Sequence, residues 1–223
     1  MLTRRLVQLY AGLVLYGFSM ALMIKPALGL NPWDVLHQGL TRHVPLTFGQ
    51  VTIVVGALVL LAWVPLRQRP GLGTVSNVIV IGLSVDASLA VLPAPDALPL
   101  RFALLLAGVL LNGVAGAAYI GARFGPGPRD GLMTGLVART GRSVRLIRTT
   151  LELSVLATGF LLGGTVGVGT VVYALAIGPL IHILLPILTV PEPDEQIVDQ
   201  ADASARKAAR YAWGVVPSRR VKW

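Results

Sequence analysis

Of 223 residues, 54% are hydrophobic and only 13% are charged, a balance that excludes an ordinary water-soluble domain and puts the chain among membrane proteins. The absence of cysteine excludes disulfides, thiolate metal sites and cysteine nucleophiles together. The net charge of +9 does not point to nucleic acid, because the basic residues stand at the ends of apolar runs and form no patch with interleaved aromatics.

Near-continuous apolar runs occupy about 5–24, 48–66, 74–92, 102–122, 146–165 and 170–190, each close to the roughly 20 residues that a helix needs to cross ~30 Å of hydrocarbon. Six transmembrane helices are expected. The first run is too long for a cleaved signal peptide, and no small-residue cleavage site precedes Lys25, so it reads as a retained helix. Gly12 and Gly17 in the first span, Gly108 and Gly113 in the fourth, and Gly159, Gly163 and Gly164 in the fifth suit close helix packing. The stretch GGTVGVGT over 163–170 lacks the Lys of a phosphate-binding loop and reads as a tight external turn.

Between the first two spans lies GLNPWDVLHQGL, residues 29–40, and between the fourth and fifth lies GPGPRDGLMTGL, residues 125–136. The identities keep one offset of 96 well beyond these segments: Ala11, Gly12, Leu15, Gly17, Ala21 and Ile24 match Ala107, Gly108, Leu111, Gly113, Ala117 and Ile120. The chain therefore reads as a duplication. Three spans per copy is an odd number, so the copies should enter the bilayer from opposite faces.

The motif segments are too short and too polar to span. Asn31 suits an N-cap, Pro32 the first helical position, and Asp34 the first turn beside the positive end of the dipole. Gly127, Pro128 and Asp130 repeat the device. Trp33, Gly39, Arg129 and Gly135 complete the two motifs as structural positions. The fold expected is thus an all-α integral membrane protein of two inverted three-helix repeats, 1–95 and 97–190, each with a short interfacial or re-entrant helix, followed by a tail over 191–223.

Arg4, Arg5, Arg67, Arg69, Arg139, Arg142 and Arg145 fall on one side of this topology, against Lys25, Arg42 and Arg101 on the other. Both termini are accordingly expected in the cytoplasm. The tail is acidic first and basic later, and is expected to be flexible or weakly amphipathic at the membrane surface.

Ionisable groups within an apolar bundle are costly, and so mark candidate sites. Asp86 and His182 occupy equivalent positions in the two copies; each has a bland alternative, as a solvated acid near a helix end and a His satisfied by a backbone carbonyl. Arg148 and Glu152 stand four apart and should pair on one helix face. Asp34 and Asp130 form a cation or proton site on one reading, and cap their helices on the other. No catalytic triad, metal-ligand spacing or phosphate loop appears, so neither an enzyme nor a cofactor is expected.

The motif segments, with RTTLELSVLATGFLLGG at 148–164 and VGTVVYALAIGPLI at 168–181, resemble the YczE-like (YitT/YczE-type) bacterial integral membrane proteins. The resemblance implies a multi-spanning protein of the bacterial cytoplasmic membrane and names no substrate. The expectation for function is a small-molecule or ion transporter with its path at the repeat interface, the polar groups Asp34, Asp130, Asp86, Glu152, His182 and Arg148 being candidates for that path. The rival is a membrane accessory protein that holds a biosynthetic or signalling partner. A path through so short a chain would be narrow, which leaves room for a homodimer; beyond the bilayer and a small solute or ion, no partner is implied.

Overall fold

The structure, a computed structural model, describes residues 2–191, and its compact unit extends to Thr189. The expected tail lies outside the described residues apart from Pro191. Eight helices occur among those described: α1 (Leu2–Ile24), α2 (Pro32–Thr41), α3 (Phe48–Leu66), α4 (Leu72–Val91), α5 (Leu98–Gly121), α6 (Pro128–Thr140), α7 (Val144–Leu161) and α8 (Val168–Leu188). The first residues of α1 to α4 recur 96 positions later as those of α5 to α8: Leu2 and Leu98, Pro32 and Pro128, Phe48 and Val144, Leu72 and Val168.

Five helices, α1, α3, α4, α5 and α8, are long and apolar enough to cross a membrane. α7, expected as a sixth, differs because its 18 residues include Arg145, Arg148 and Glu152. The glycine-rich stretch after α7 also differs in part from a plain turn, since α8 already begins at Val168.

α1 and α5 form the centre and run antiparallel. Arg5 Nε donates to the Ala122 carbonyl at 3.0 Å, Gln8 Nε2 to the Ala118 carbonyl at 3.0 Å, and Asn112 Nδ2 to Ser19 Oγ at 2.9 Å. Gly12 lies against Ala115 and Ala118, and its counterpart Gly108 lies against Ser19 and Met23, so small residues bring the two backbones together from both sides. α4 packs on α1 and α8 on α5, while α7 packs on α2 and α3 on α6.

The connections cross between the halves. Gly73 N donates to the Phe124 carbonyl and Gly169 N to the Leu28 carbonyl, both at 2.8 Å. These carbonyls precede Gly29 and Gly125, whose φ values of +109° and +113° belong to a region open to glycine. A left-handed turn at each then feeds the chain into the short helices.

These contacts sort the chain into two ends. Arg5 meets residues 122 and 123, Arg139 Nη1 donates to the Pro65 carbonyl at 2.8 Å, and Gly73 meets Phe124. At the other end Leu30 N donates to the Thr165 carbonyl, and Arg101 Nε to the Pro26 carbonyl at 2.7 Å.

The α2–α7 contact tolerates no added volume. A Cβ at Gly159 would run into the backbone of Val35 and Leu36. Forcing even one methyl group into a packed interface costs ~1–3 kcal/mol. Gly159→Ala should therefore lower the thermal midpoint of the detergent-purified protein, and Gly159→Leu should abolish monodisperse elution in size-exclusion chromatography.

Candidate functional site

The N-termini of α2 and α6 open onto one cavity of about 470 Å³. Its wall includes Asn31, Pro32, Trp33 and His37 from the first segment, and Gly127, Pro128, Arg129, Asp130 and Met133 from the second. Tyr16 of α1, Asn112 and Tyr119 of α5, and Tyr173 of α8 add polar groups between them.

Local sequence builds each helix start. Asn31 adopts an extended conformation and its side-chain oxygen accepts from Asp34 N at 3.0 Å, while Asn31 Nδ2 donates to Asp34 Oδ2 at 2.5 Å. Cap and acid thus satisfy one another. At α6 the cap is Gly127, which has no side chain to offer. Asp130 Oδ2 accepts instead from Tyr119 Oη at 3.3 Å, and the Pro128 carbonyl accepts from Trp63 Nε1 at 3.0 Å.

Asp34 has no exposure to solvent. Its Oδ1 has no hydrogen-bond partner among the described residues. It faces two cationic or proton-bearing groups, His37 Nδ1 at 3.5 Å and Arg129 Nη2 at 3.8 Å. Thr52 Oγ1 spends its proton on the Phe48 carbonyl at 2.9 Å and stands 3.3 Å from His37 Nδ1. A proton on Nδ1 then lets the ring face both Thr52 and Asp34 as a donor. Arg129 sits with its guanidinium 5.0 Å from the centroid of the Trp33 ring, within range of a cation–π contact. Among the described residues this guanidinium closes no hydrogen bond, so its planar donors are available to a ligand.

Arg129 therefore joins the two halves, one motif's cation standing over the other motif's aromatic ring and carboxylate. Arg148 and Glu152 pair at 3.0 Å on α7 and line the same cavity. Asp34 lies just behind the wall, beneath Asn31 and His37. Gly39 and Gly135 lie outside the cavity, the first against Gly159 and Leu162, the second against Leu66 and Gln68.

Asp86 and His182 are not brought to the cavity. Asp86 Oδ1 accepts from Gly49 N at 2.7 Å and its Oδ2 from Thr47 Oγ1, so it closes the start of α3. His182 stands on the exposed face of α8.

A second polar group comes from residues that carry no charge. Tyr173 Oη donates to Asn112 Oδ1 at 3.0 Å, and Asn112 donates onward to Ser19 Oγ, which donates to the Tyr16 carbonyl at 2.6 Å. Asn112 and Ser19 are both fully buried. The sequence signal for this chain is a carboxamide in the middle of an apolar run.

With five apolar helices around a buried polar centre, this is a multi-pass helical membrane protein. Over residues 3–186 the chain matches the family described as "Family of unknown function (DUF6198)", and it belongs to that family. It is 40% identical over 176 residues to an uncharacterized protein of Haemophilus influenzae, covering 79% of this chain and 81% of that one. It is 35% identical over 179 residues to the uncharacterized membrane protein YczE of Bacillus subtilis, covering 79% and 83%. A third relative, the uncharacterized protein YyaS of Bacillus subtilis, is 25% identical over 181 residues, covering 79% and 90%. No solved structure matches.

Asn31→Ala should cost about 0.5–2 kcal/mol, as cap removal does, and more than a surface cap would because Asp34 Oδ2 is left buried without its donor. Thermal unfolding of Asn31→Ala beside Asn31→Ser checks this, the hydroxyl of serine being expected to restore part of the loss.

Proposed function

We propose that this protein is a transporter of small molecules in the bacterial cytoplasmic membrane, with its substrate bound in the cavity between α2 and α6 and its two halves inverted across the bilayer. The carrying observation is the convergence of the two equivalent short helices on one cavity, joined by Arg129 and Asp34. The antiparallel run of α1 and α5, which begin 96 residues apart, supports the inversion.

α2 spans 10 residues, about 15 Å at ~1.5 Å per residue, half the thickness of a bilayer core. Its start faces Arg129 in the interior, and beyond its last turn His43 Nε2 lies 3.1 Å from the Leu162 carbonyl, just past the last residue of α7. That geometry suits a re-entrant helix, and α6 suits the same role from the opposite end. Irregular backbone at such depth is tolerated where it lines a cavity, and half-helix N-termini pointing at a central site recur in transporters.

α7 belongs to this scheme as a sixth span, with Arg148 and Glu152 paired in the cavity wall and Arg145 one residue past its start. The end that carries Arg4, Arg5, Arg67, Arg69, Arg139, Arg142 and Arg145 faces the cytoplasm by the excess of positive charge. Inverted halves around a shared site have two related arrangements, one open to each side. Exchange between them moves a substrate across the membrane.

The cysteine-free sequence allows a direct test. Single cysteines at Val59 and Met133, both in the cavity wall, should each react with a membrane-impermeant thiol reagent from either side of the membrane. Protection of both positions from both sides would refute a water-accessible path and leave an accessory role. Asp34→Asn should keep the protein folded while changing the reactivity of both cysteines, because the exchange moves the Arg129–Asp34 contact.

A further inference from the structure

The two halves differ at one seam. α3 packs along α4, whereas α7 packs against α2 and α6 and has no comparable packing with its own partner α8. The cause is legible position by position. At the α3–α4 seam Gly49 lies on the Gly82 carbonyl, Gly56 lies on Val78, and Gly82 lies on Ile53 and the Gly49 carbonyl. The counterparts 96 residues later are Arg145, Glu152 and Gly178. Two of the three glycines that let the helices touch have become long charged side chains.

The polar clasp of that seam is lost as well. Asp86 fastens α4 to Thr47 and Gly49 N at the start of α3, but its counterpart is His182, which stands on the exposed face of α8 and repeats neither bond among the described residues. Gly178 consequently faces open space, with no atom within 4 Å of an added Cβ. α8 also carries Pro179 beside Gly178, where α4 has Leu83, and a mid-helix proline removes one backbone hydrogen bond.

The cavity reaches this opening from inside. Its wall includes Leu151 and Glu152 of α7 and Ala174, Ile177 and Ile181 of α8. Residues 174, 177, 178 and 181 share one face of α8 by helical spacing, so Gly178 stands on the face that borders the cavity. The opening is therefore apolar along α8 and charged on α7. Two cations, Arg129 and Arg148, and two acids, Asp130 and Glu152, line the interior.

From these features we infer that the α7–α8 seam is a lateral portal through which a single-chain zwitterionic amphiphile passes between the bilayer and the cavity, its head group among the four charges and its chain against Ala174, Ile177 and Ile181. A cavity of about 470 Å³ lies within the ~300–1,000 Å³ range of small-ligand sites, which suits a head group with one chain leaving through the seam. Arg129 offers unused donors to an anionic group, and Asp130 with Glu152 offers acceptors to an adjacent ammonium. The inference rests on the cavity being the ligand site proposed above and adds the substrate class and the route.

The test uses lysophosphatidylethanolamine with a photoactivatable group in its acyl chain, applied to the full-length protein in nanodiscs. Adducts mapped by mass spectrometry should fall on Leu151, Ala174, Ile177 and Ile181, and should outnumber those formed by the lysophosphatidylglycerol analogue with its net negative charge. Gly178→Phe fills the seam at a position with free space, so the variant should fold and keep the aqueous labelling of Val59→Cys while its interior adducts fall roughly tenfold. Adducts confined to the outer faces of the helices, or interior adducts unchanged by Gly178→Phe, would overturn the portal while leaving the central path standing. Equal yields from the two analogues would overturn the zwitterionic class. Efficient disulfide formation between copies of Gly178→Cys in native membranes would also overturn the portal, by giving the seam to a second copy of the chain. Loss of Val59→Cys labelling in the otherwise unaltered protein would instead remove the proposed transport path.

Discussion

The carboxylate of Asp34 is withdrawn wholly from solvent, and a buried charge persists only with compensation close by. One oxygen is held by Asn31 at the helix start, and the other looks towards His37 and Arg129 without closing a hydrogen bond. The compensation is therefore split between two segments of the chain. Asn31 and His37 come from the acid's own motif, and Arg129 from the residue just before the equivalent acid, Asp130, in the other motif. A contact of 3.8 Å is close enough to attract and too long to lock.

The architecture around this charge follows from what a bilayer forbids. Backbone groups without partners cannot face lipid, so the proposed re-entrant placement of α2 and α6 needs a polar cavity at their ends. Asn31, Tyr119, Asn112 and Tyr173 supply polar groups in its wall, while Trp63 of α3 holds the Pro128 carbonyl and Ser19 of α1 accepts from Asn112. α1 and α5, which cross tightly at Gly12 and Gly108, contribute Tyr16, Asn112 and Tyr119 to the cavity wall. The crossed connections at Leu28 and Phe124 tie each half to the other's outer helix, so the halves are not separable bodies.

Much of the fold was legible because hydrophobic length and a fixed offset are both properties of sequence. The run 48–66 coincides with α3, and Asn31, Pro32 and Asp34 take the cap, first-turn and acid positions that their chemistry suggests. Other features were hidden. Asn112 and Ser19 carry no charge and fall inside apolar runs, so ionisable groups alone do not lead to them. Asp86 and His182 share an equivalent position but not an environment, because one closes a seam that the other leaves open. The asymmetry between the seams was itself written in the chain, at the places where the offset of 96 pairs Gly49 with Arg145 and Gly56 with Glu152. The departures from identity at that offset fall where the packing of the two seams differs.

The central claim is that α2 and α6 meet by their N-termini from opposite sides of the membrane. Spin labels on cysteines introduced at Thr41 and Thr140, the last residues of the two helices, measure this directly by pulsed electron resonance in nanodiscs. Helices of 10 and 13 residues that meet end to end should hold the labelled positions roughly 30–35 Å apart at ~1.5 Å per residue. A distance below about 20 Å, on the same rise per residue, would mean that the helices lie side by side, and neither the inversion nor a shared central cavity would survive it.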